Sequence, residues 1–240
     1  MKDPKAQMQD IIRKGVSIDI YNVEEMLFLN EFVGLEADAI NSATFGAFFG
    51  SFQIMLRRLL VLQTARIFEQ PNSRYPIRSI PVAITVLREY SNCLVIEQRP
   101  GLIRALSLSG ALLQQIEPLS DPELTLFVAD FFDRKMSESH PEGIANASAL
   151  LSLKTVRDKK IAHQEAIRID ELPKATFADI DQLVALAKAF VAAVGFGYYS
   201  MAYADDTGHY FMSSDAKRST VCLRRLLQKA AVVAQREPHK

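Results

Sequence analysis

The feature that most constrains the fold is an apolar stripe that runs through residues 176–204. Its members recur at alternating spacings of three and four residues: Phe177, Ile180, Val184, Ala187, Val191, Val194, Tyr198 and Met201. On an α-helix this spacing places them on one face along about seven turns. The stripe therefore predicts a long helix that packs in an antiparallel bundle.

A second stripe with the same spacing lies within residues 43–70, and it consists of Phe45, Phe48, Phe52, Met55, Leu59 and Leu62. We expect these residues to face the core. The next position of this stripe is Arg66. A buried guanidinium must be paired, so Arg66 either extends to solvent at the helix end or reaches a buried acceptor, a partner or a substrate.

Helical periods dominate the rest of the chain as well, and few segments alternate as strands do. Helices are predicted at 22–42, 43–70, 80–97, 101–116, 121–136, 143–164, 176–204 and 213–235, with a further short helix near 4–14. No linker, repeat or low-complexity tract divides the sequence. It predicts an all-α multi-helix bundle with long antiparallel helices, forming one domain over residues 1–240. The core is expected at about 22–204, with a C-terminal helix at about 213–235.

Residues 183–204 are apolar enough to need a membrane check, since Lys188 is the only charged residue among them. A membrane-spanning helix needs roughly 20 apolar residues. This segment contains tyrosines and a serine, has no basic flank, and is followed by Asp205 and Asp206. We interpret it as a buried helix and expect no membrane contact. The first residues, Met1–Lys5, lack the apolar core of a signal peptide, so the cytoplasm is the predicted location.

The composition of the chain limits how it can bind nucleic acid or a metal. The chain has 28 Lys and Arg and 28 Asp and Glu, so any contact with RNA must use a local patch. The two cysteines, Cys93 and Cys222, form no zinc-binding pair, and there are four histidines: His140, His163, His209 and His239. Asp205, Asp206 and His209 are better read as a polar turn than as metal ligands. We predict no metal and no cofactor.

The richest local pattern is the run from Leu153 to Glu165. His163 follows Val156 by seven residues and therefore shares its face of the helix. Arg157 lies at the edge of that face, about 9 Å from His163 along the axis of an ideal helix. The two side chains can flank one phosphate only by reaching toward each other, through a distortion of the helix, or across a dimer.

These residue types suit RNA transesterification. A histidine can take a proton from a ribose 2′-hydroxyl, and an arginine can stabilise the charge that develops on the phosphate. Lys159 and Lys160 would add positive charge for the RNA backbone. The alternative is a histidine at the edge of the core, with solvated basic residues beside the helix C-terminus.

Two segments resemble a known family. Arg157 and His163, with the polar Asp158 directly after the arginine, fit the Arg-x(4–6)-His motif of HEPN domains. The wider run to His163 is similar to the abortive-infection (AbiU-type) branch of that superfamily. The segment Leu62–Glu69 resembles the end of an early long helix in the same branch. The resemblance covers roughly residues 40–204.

The resemblance implies a helical bundle that dimerises with the motif helices facing each other. It also implies metal-independent ribonuclease activity, with the enzyme acting as a toxin or phage-defence effector. By motif match, Arg157 and His163 form the catalytic pair and Asp158 orients them. Arg66 matches the upstream segment, and we assign it to substrate binding together with Lys159 and Lys160, whose positive charge suits the RNA backbone. Glu165 stands where nucleotide-regulated HEPN toxins carry a tyrosine, so that regulation is not expected.

The expected partners are RNA, a second copy of the chain, and an antitoxin or other regulatory protein. A second reading remains open. The neutral charge and the short motif also fit a non-catalytic helical interaction module that keeps the HEPN-like fold.

Overall fold

The computed structural model describes residues 3–162, 175–205 and 207–233, with Lys160 and Ala162 described by their backbone alone. Within these ranges the chain is helical, and the β-structure consists of one isolated antiparallel bridge between Ala204 and Tyr210. The predicted all-α fold is confirmed.

Short connections separate most of the helices, and two π-helical turns directly follow α1 and α9. In chain order they are α1 (Pro4–Ile11), a π turn π1 (Ile12–Val16), α2 (Ser17–Leu35), α3 (Ala37–Ser42), α4 (Gly46–Ile67), α5 (Ile80–Glu89), α6 (Arg99–Leu108), α7 (Leu113–Ile116), α8 (Asp121–Arg134), α9 (Ile144–Val156), a second π turn π2 (Arg157–Ala162), α10 (Phe177–Tyr199), α11 (Met212–Ala216) and α12 (Arg218–Lys229).

Several predicted boundaries are wrong for local reasons. The helix predicted at 101–116 is broken at Gly110, whose φ of 97° belongs to the left-handed region. The C-terminal helix predicted at 213–235 is divided into α11 and α12, and it ends at Lys229, before the left-handed Ala231. Before residue 22, where the core was expected to begin, Met8 and Ile12 are also fully buried.

The residues group into two compact units. Unit 1 holds the residues up to Ile20 together with Val61–Phe211, and unit 2 holds Tyr21–Leu60 together with the residues from Met212 onward. Each unit is described by itself below. The single domain over residues 1–240 stays a prediction.

Unit 1 is built around α10. Six of the eight residues of its predicted stripe are buried: Ile180, Val184, Ala187, Val191, Val194 and Tyr198. Phe190 adds an edge-to-face contact with Phe132 of α8, at 5.1 Å between ring centroids. The hydroxyl of Tyr198 donates to the Thr125 hydroxyl at 2.9 Å, so this buried phenol is paired. The α10 stripe is confirmed.

Helix α10 is also the one described helix that is long and apolar enough to cross a membrane, with a mean hydropathy of 1.5. In the structure, 67% of its most apolar window is buried inside the protein. Its burial favours a core helix, as the sequence predicts.

Unit 2 has its own apolar cluster, which consists of Phe32, Val33, Ile40, Phe49, Leu227 and Val232. A buried hydrogen bond supports it, because the Ser213 hydroxyl contacts both carboxylate oxygens of Glu24 at 2.9 Å. The cluster therefore combines two segments that lie far apart in the sequence, residues 32–49 and residues 227–232.

The second predicted stripe is wrong. Along α4 and the residue before it, four of the six stripe residues, Phe45, Phe48, Met55 and Leu59, are exposed, and Phe52 and Leu62 are half-buried. Phe49, Leu56 and Leu60, each one position after an exposed member, are buried instead. The helix carries two overlapping apolar stripes of the same spacing, and spacing alone does not say which one faces the core. An apolar face of α4 therefore lies at the surface, with 66% of Phe48 and 50% of Met55 exposed.

Arg66, the next position of that stripe, faces a buried carboxylate. Its Nε lies 3.4 Å from Oδ2 of Asp19, whose side chain is 3% exposed. Burial raises the pKa of Asp19 to about 6, and the nearby Arg66 charge offsets only part of that rise. The Arg66 side chain is thus partly exposed to solvent, and it also lies within ion-pair distance of the buried Asp19 carboxylate.

The beginning of α9 depends on a glycine. A Cβ on Gly143 would lie 2.2 Å from the carbonyl oxygen of Arg134 and 2.3 Å from that of Ser137. We expect Gly143→Ala to lower the free energy of unfolding by about 2 kcal/mol, because the backbone must move to admit the methyl group. Urea denaturation followed by circular dichroism measures the change.

Gly34→Ala is the matched control, because a Cβ at that position of α2 would meet no atom within 4 Å apart from its chain neighbours and the adjacent backbone of its own helix. Alanine favours a helix over glycine by about 0.5–1 kcal/mol, so this variant should be slightly more stable than the wild type. Equal effects of the two substitutions would contradict the packing described for Gly143.

Stability should depend on the ionisation of Asp19. In the unfolded chain its carboxyl loses a proton near its ordinary pKa of 3.8, and in the folded protein near 6. The folded state binds the proton more tightly, so the free energy of unfolding falls as the pH rises between these values. The expected fall is no more than about 2 kcal/mol once solvent screening is allowed for.

Asp19→Asn has no proton to lose, so its stability relative to the wild type should rise between about pH 4 and pH 7. Urea denaturation of both proteins at the two pH values measures this difference. A difference that is the same at both values would show that Asp19 titrates normally.

Candidate active site

The candidate site begins where α9 ends. Helix α9 is fixed to its neighbours through Asn146, whose side chain donates to the carbonyl of Lys135 at 2.7 Å and accepts from Gln182 at 2.7 Å. Leu153, one turn before the helix end, is fully buried. These contacts set the position of the residues that follow.

The motif itself coincides with the π turn π2, Arg157–Ala162. A π turn widens the helix by using i→i+5 hydrogen bonds, and such turns occur frequently at functional sites. A distortion of the helix is one of the ways in which Arg157 and His163 were expected to reach the same phosphate. The π turn is such a distortion, and it begins at Arg157. His163 lies outside the described residues.

Arg157 is held between two carboxylates. Its Nε donates to Oδ1 of Asp158 at 2.7 Å, and its Nη1 lies 3.8 Å from Oε1 of Glu69. The Arg157 side chain is 22% exposed, so the guanidinium is largely desolvated but accessible. Asp158 thus contacts the arginine that the sequence assigned it to orient.

Glu69 is itself anchored. The Ser79 hydroxyl donates to the backbone carbonyl of Glu69 at 2.6 Å, and Ser79 is fully buried at the start of α5. Glu69 closes the upstream segment that begins at Leu62. The two segments that carry the family resemblance therefore meet in the structure through Glu69 and Arg157.

Arg157 opens into a groove of about 470 Å³. The walls come from the end of α4 and the loop after it, the turn after α8, and α9. They consist of Ala65, Phe68, Glu69, Gln70, Pro71, Asn72, Met136, Glu138, Ala147, Leu150, Leu151, Lys154 and Arg157. The groove therefore combines an apolar floor with charged groups of both signs.

Lys154 is a second cation in this groove. It precedes Arg157 by three residues, so the two lie on neighbouring turns of one helix face, about 4.5 Å apart along the axis. Lys154 is exposed. Two positive charges in line along a groove can contact successive phosphates of a nucleic acid backbone.

The structure brings together some of the predicted site residues and not others. Arg157 and Asp158 are in contact. Arg66 does not line the groove and contacts Asp19 instead. Lys159 is exposed and also lies outside the groove lining, while the side chain of Lys160 is not among the described groups.

Sequence reasoning missed Glu69 and Lys154. Both lie inside the two segments that it singled out, Leu62–Glu69 and Leu153–Glu165. The acidic Glu69 at the end of the first segment could have suggested an ion pair with Arg157. The basic Lys154 in the second segment could have suggested a further phosphate contact. Their relative positions required the tertiary structure.

The described residues contain no group of three or more histidines, cysteines or carboxylates in metal-binding proximity. Asp205 forms a polar turn, because its Oδ1 accepts from the backbone N–H groups of Thr207 at 2.8 Å and His209 at 3.0 Å. That turn agrees with the sequence interpretation of Asp205 and His209. Asp206 lies outside the described residues.

Comparison with known proteins gives one family. The family model described as AbiU2, of the HEPN group, matches residues 16–218. No curated protein and no solved structure matches the chain significantly. The match covers well over half of the 240 residues and includes both segments that meet at Arg157. The chain therefore belongs to the AbiU2 family of HEPN proteins, an abortive-infection family.

Proposed function

We propose that this protein is a metal-independent endoribonuclease of toxin or phage-defence type. The observation that carries the proposal is the position of Arg157, which opens into a groove, is held by Asp158 and Glu69, and precedes His163 in the motif. Membership of an abortive-infection HEPN family supports it.

The proposed reaction is attack by a ribose 2′-hydroxyl on the adjacent phosphorus. A bond forms between the 2′ oxygen and phosphorus while the hydroxyl proton passes to His163. The bond from phosphorus to the 5′ oxygen of the next nucleotide breaks, and the leaving oxygen takes a proton from protonated His163 or from water. The products end in a 2′,3′-cyclic phosphate and a 5′-hydroxyl.

Arg157 would stabilise the charge that builds up on the nonbridging phosphate oxygens. Its Nε is bonded to Asp158 and its Nη1 faces Glu69, which leaves N–H groups on Nη2 for the phosphate. Asp158 and Glu69 would position the guanidinium. Lys154 would contact the neighbouring phosphate, and Lys159 and Lys160 the backbone further away.

Membership of the HEPN family supports the remaining parts of the proposal, which concern dimerisation, regulation and location. Two copies would pair with their motif helices facing each other, so that two Arg157/His163 pairs line one cleft. An antitoxin or other regulatory protein would control the activity in the cytoplasm, and the 240 residues would act as one domain.

The exposed apolar face of α4 favours a second candidate, a non-catalytic interaction module. Phe48 and Met55 are half exposed or more, and exposed apolar patches on proteins often mark interaction sites. The two carboxylates around Arg157 also fit a purely structural ion pair. In that case the HEPN-like fold would serve only to bind a partner.

The first experiment incubates purified wild type and His163→Ala with mixed tRNA and mRNA in the presence of EDTA, followed by mapping of the new ends. We expect wild type to leave cyclic phosphate ends and His163→Ala to cleave about 100- to 10,000-fold more slowly, because a general base is lost. His209→Ala serves as the control and should cleave normally.

Unchanged cleavage by His163→Ala would overturn the proposed mechanism. If the wild type cleaves no RNA and binds a protein that the α4 variant Phe48→Asp no longer binds, the interaction module is the better description.

The groove also predicts which lysine matters more. Lys154→Gln should raise the KM for RNA several-fold and reduce the slope of log affinity against log salt by about 1, because one phosphate contact is lost. Lys159→Gln removes the same charge outside the groove and should have the smaller effect. Steady-state cleavage at several salt concentrations measures both, and a larger effect of Lys159→Gln would contradict the assignment of the groove.

A further inference from the structure

The loop between α4 and α5, residues 68–79, begins in the wall of the Arg157 groove and returns to it. Its first five residues line the groove: Phe68, Glu69, Gln70, Pro71 and Asn72. At the other end of the loop, the Ser79 hydroxyl donates to the backbone carbonyl of Glu69 at 2.6 Å. The two ends of the loop therefore meet beside the carboxylate that faces Arg157. Compact surface loops whose ends lie close together are frequently functional.

The tip of this loop is held in place by polar contacts on both sides. Directly after the last groove residue, the backbone N–H of Arg74 donates to Oδ1 of Asn72 at 2.8 Å and closes a tight turn. On the returning side, Nε of Arg78 donates to Oδ2 of Asp10 in α1 at 2.7 Å. Two prolines also fix the φ angle at their positions in the loop. The fold thus sets where the tip lies relative to the groove.

The tip presents an aromatic ring to solvent. Tyr75 is 60% exposed, and the Arg74 guanidinium carbon lies 5.8 Å from the centroid of its ring, within the range of a cation–π contact. Tyr75 follows the groove residue Asn72 by three positions, so their Cα atoms are at most about 11 Å apart. A ring that lies mostly in solvent contributes little to the core, so packing does not explain its presence here.

An exposed tyrosine ring beside a guanidinium is suited to binding a nucleic acid base. Bases that are not paired stack on aromatic side chains and on arginine planes, and this stacking tolerates many sequences because every base has a flat face. In a duplex the faces of the bases are covered by their neighbours. The groove that begins three residues away contains Lys154 and Arg157, which suit the phosphates of the same strand.

We propose that Tyr75 and Arg74 form a stacking platform for an unpaired base next to the phosphate in the Arg157 groove, so that the substrate is single-stranded RNA. This inference rests on the proposed ribonuclease function and names the substrate class of that site. The base lies against the open face of the Tyr75 ring. Arg74 covers the other face, which fixes the ring, and adds a positive charge close to the backbone of the strand.

Fluorescence anisotropy with the full chain tests the platform with three labelled probes of about 12 nucleotides, within the site size of proteins that bind single strands. The first is a single RNA strand of mixed sequence in which fluorine replaces every 2′-hydroxyl, so the proposed cleavage cannot occur. The second is its duplex with a complementary strand of the same kind. The third is an abasic strand, which carries the same phosphates without bases. We expect the single strand to bind at least about 10-fold more tightly than the other two probes.

Variants at the tip locate the binding. Tyr75→Ala should weaken binding of the single strand by about 5- to 150-fold, the range for one lost stacking contact, and should leave binding of the abasic strand unchanged. Tyr75→Phe keeps the ring and should bind as the wild type does. Phe211→Ala is the control, because it removes another exposed ring that lies outside the groove lining. Circular dichroism checks that each variant is folded.

The inference is overturned if the single strand does not bind, or if it binds no more tightly than the duplex or the abasic strand. It is also overturned if a folded Tyr75→Ala variant binds the single strand as well as the wild type does. A protein that binds the single strand through Tyr75 and cleaves no natural RNA supports the platform and contradicts the ribonuclease proposal. A protein that cleaves RNA but shows no effect of Tyr75→Ala contradicts the platform alone.

Discussion

The burial of about two thirds of α10 governs unit 1. Besides the stripe predicted from sequence, the helix buries Leu183, Leu186, Phe190 and Ala193, so α6, α8 and α9 must supply apolar surface around it. Each large apolar side chain buried in this way contributes roughly 1.5–3 kcal/mol. The bond between Gln182 of α10 and Asn146 of α9 then fixes the helix that carries Arg157. The packing of α10 in the core therefore sets the position of the candidate site.

Two carboxylates around one arginine have opposing effects on anion binding. Asp158 and Glu69 hold the guanidinium in one orientation, and a fixed donor loses little freedom when a phosphate arrives. The same carboxylates also repel the phosphate and reduce the net charge. Lys154 restores a positive charge one turn away. The groove is therefore better suited to orienting a bound phosphate than to attracting a distant one. The formal net charge of the chain, which is zero, likewise gives no long-range attraction for an anion.

The sequence predicts the buried face of α10 well because that face depends on the spacing of residues close together in the chain. It fails on α4, where two apolar stripes share that helix and the tertiary fold buries Phe49 and Leu56 while it exposes Phe48 and Met55. The sequence does not decide whether Arg66 faces solvent or a buried partner, because that partner, Asp19, lies 47 residues earlier in the chain. The contact of Glu69 with Arg157 joins segments 88 residues apart, which no helical period encodes.

The division of the chain between the two units has a consequence for its synthesis. The apolar cluster of unit 2 unites Phe49 with Leu227, and nearly all of unit 1 lies between them in the sequence. Residues 21–60 therefore leave the ribosome long before the residues that cover them, and contacts this far apart form slowly because a long loop must close first. During that interval the nascent chain exposes Phe32 and Phe49 and needs protection from aggregation. The described lining residues of the Arg157 groove, in contrast, lie closer together in the chain, between Ala65 and Arg157.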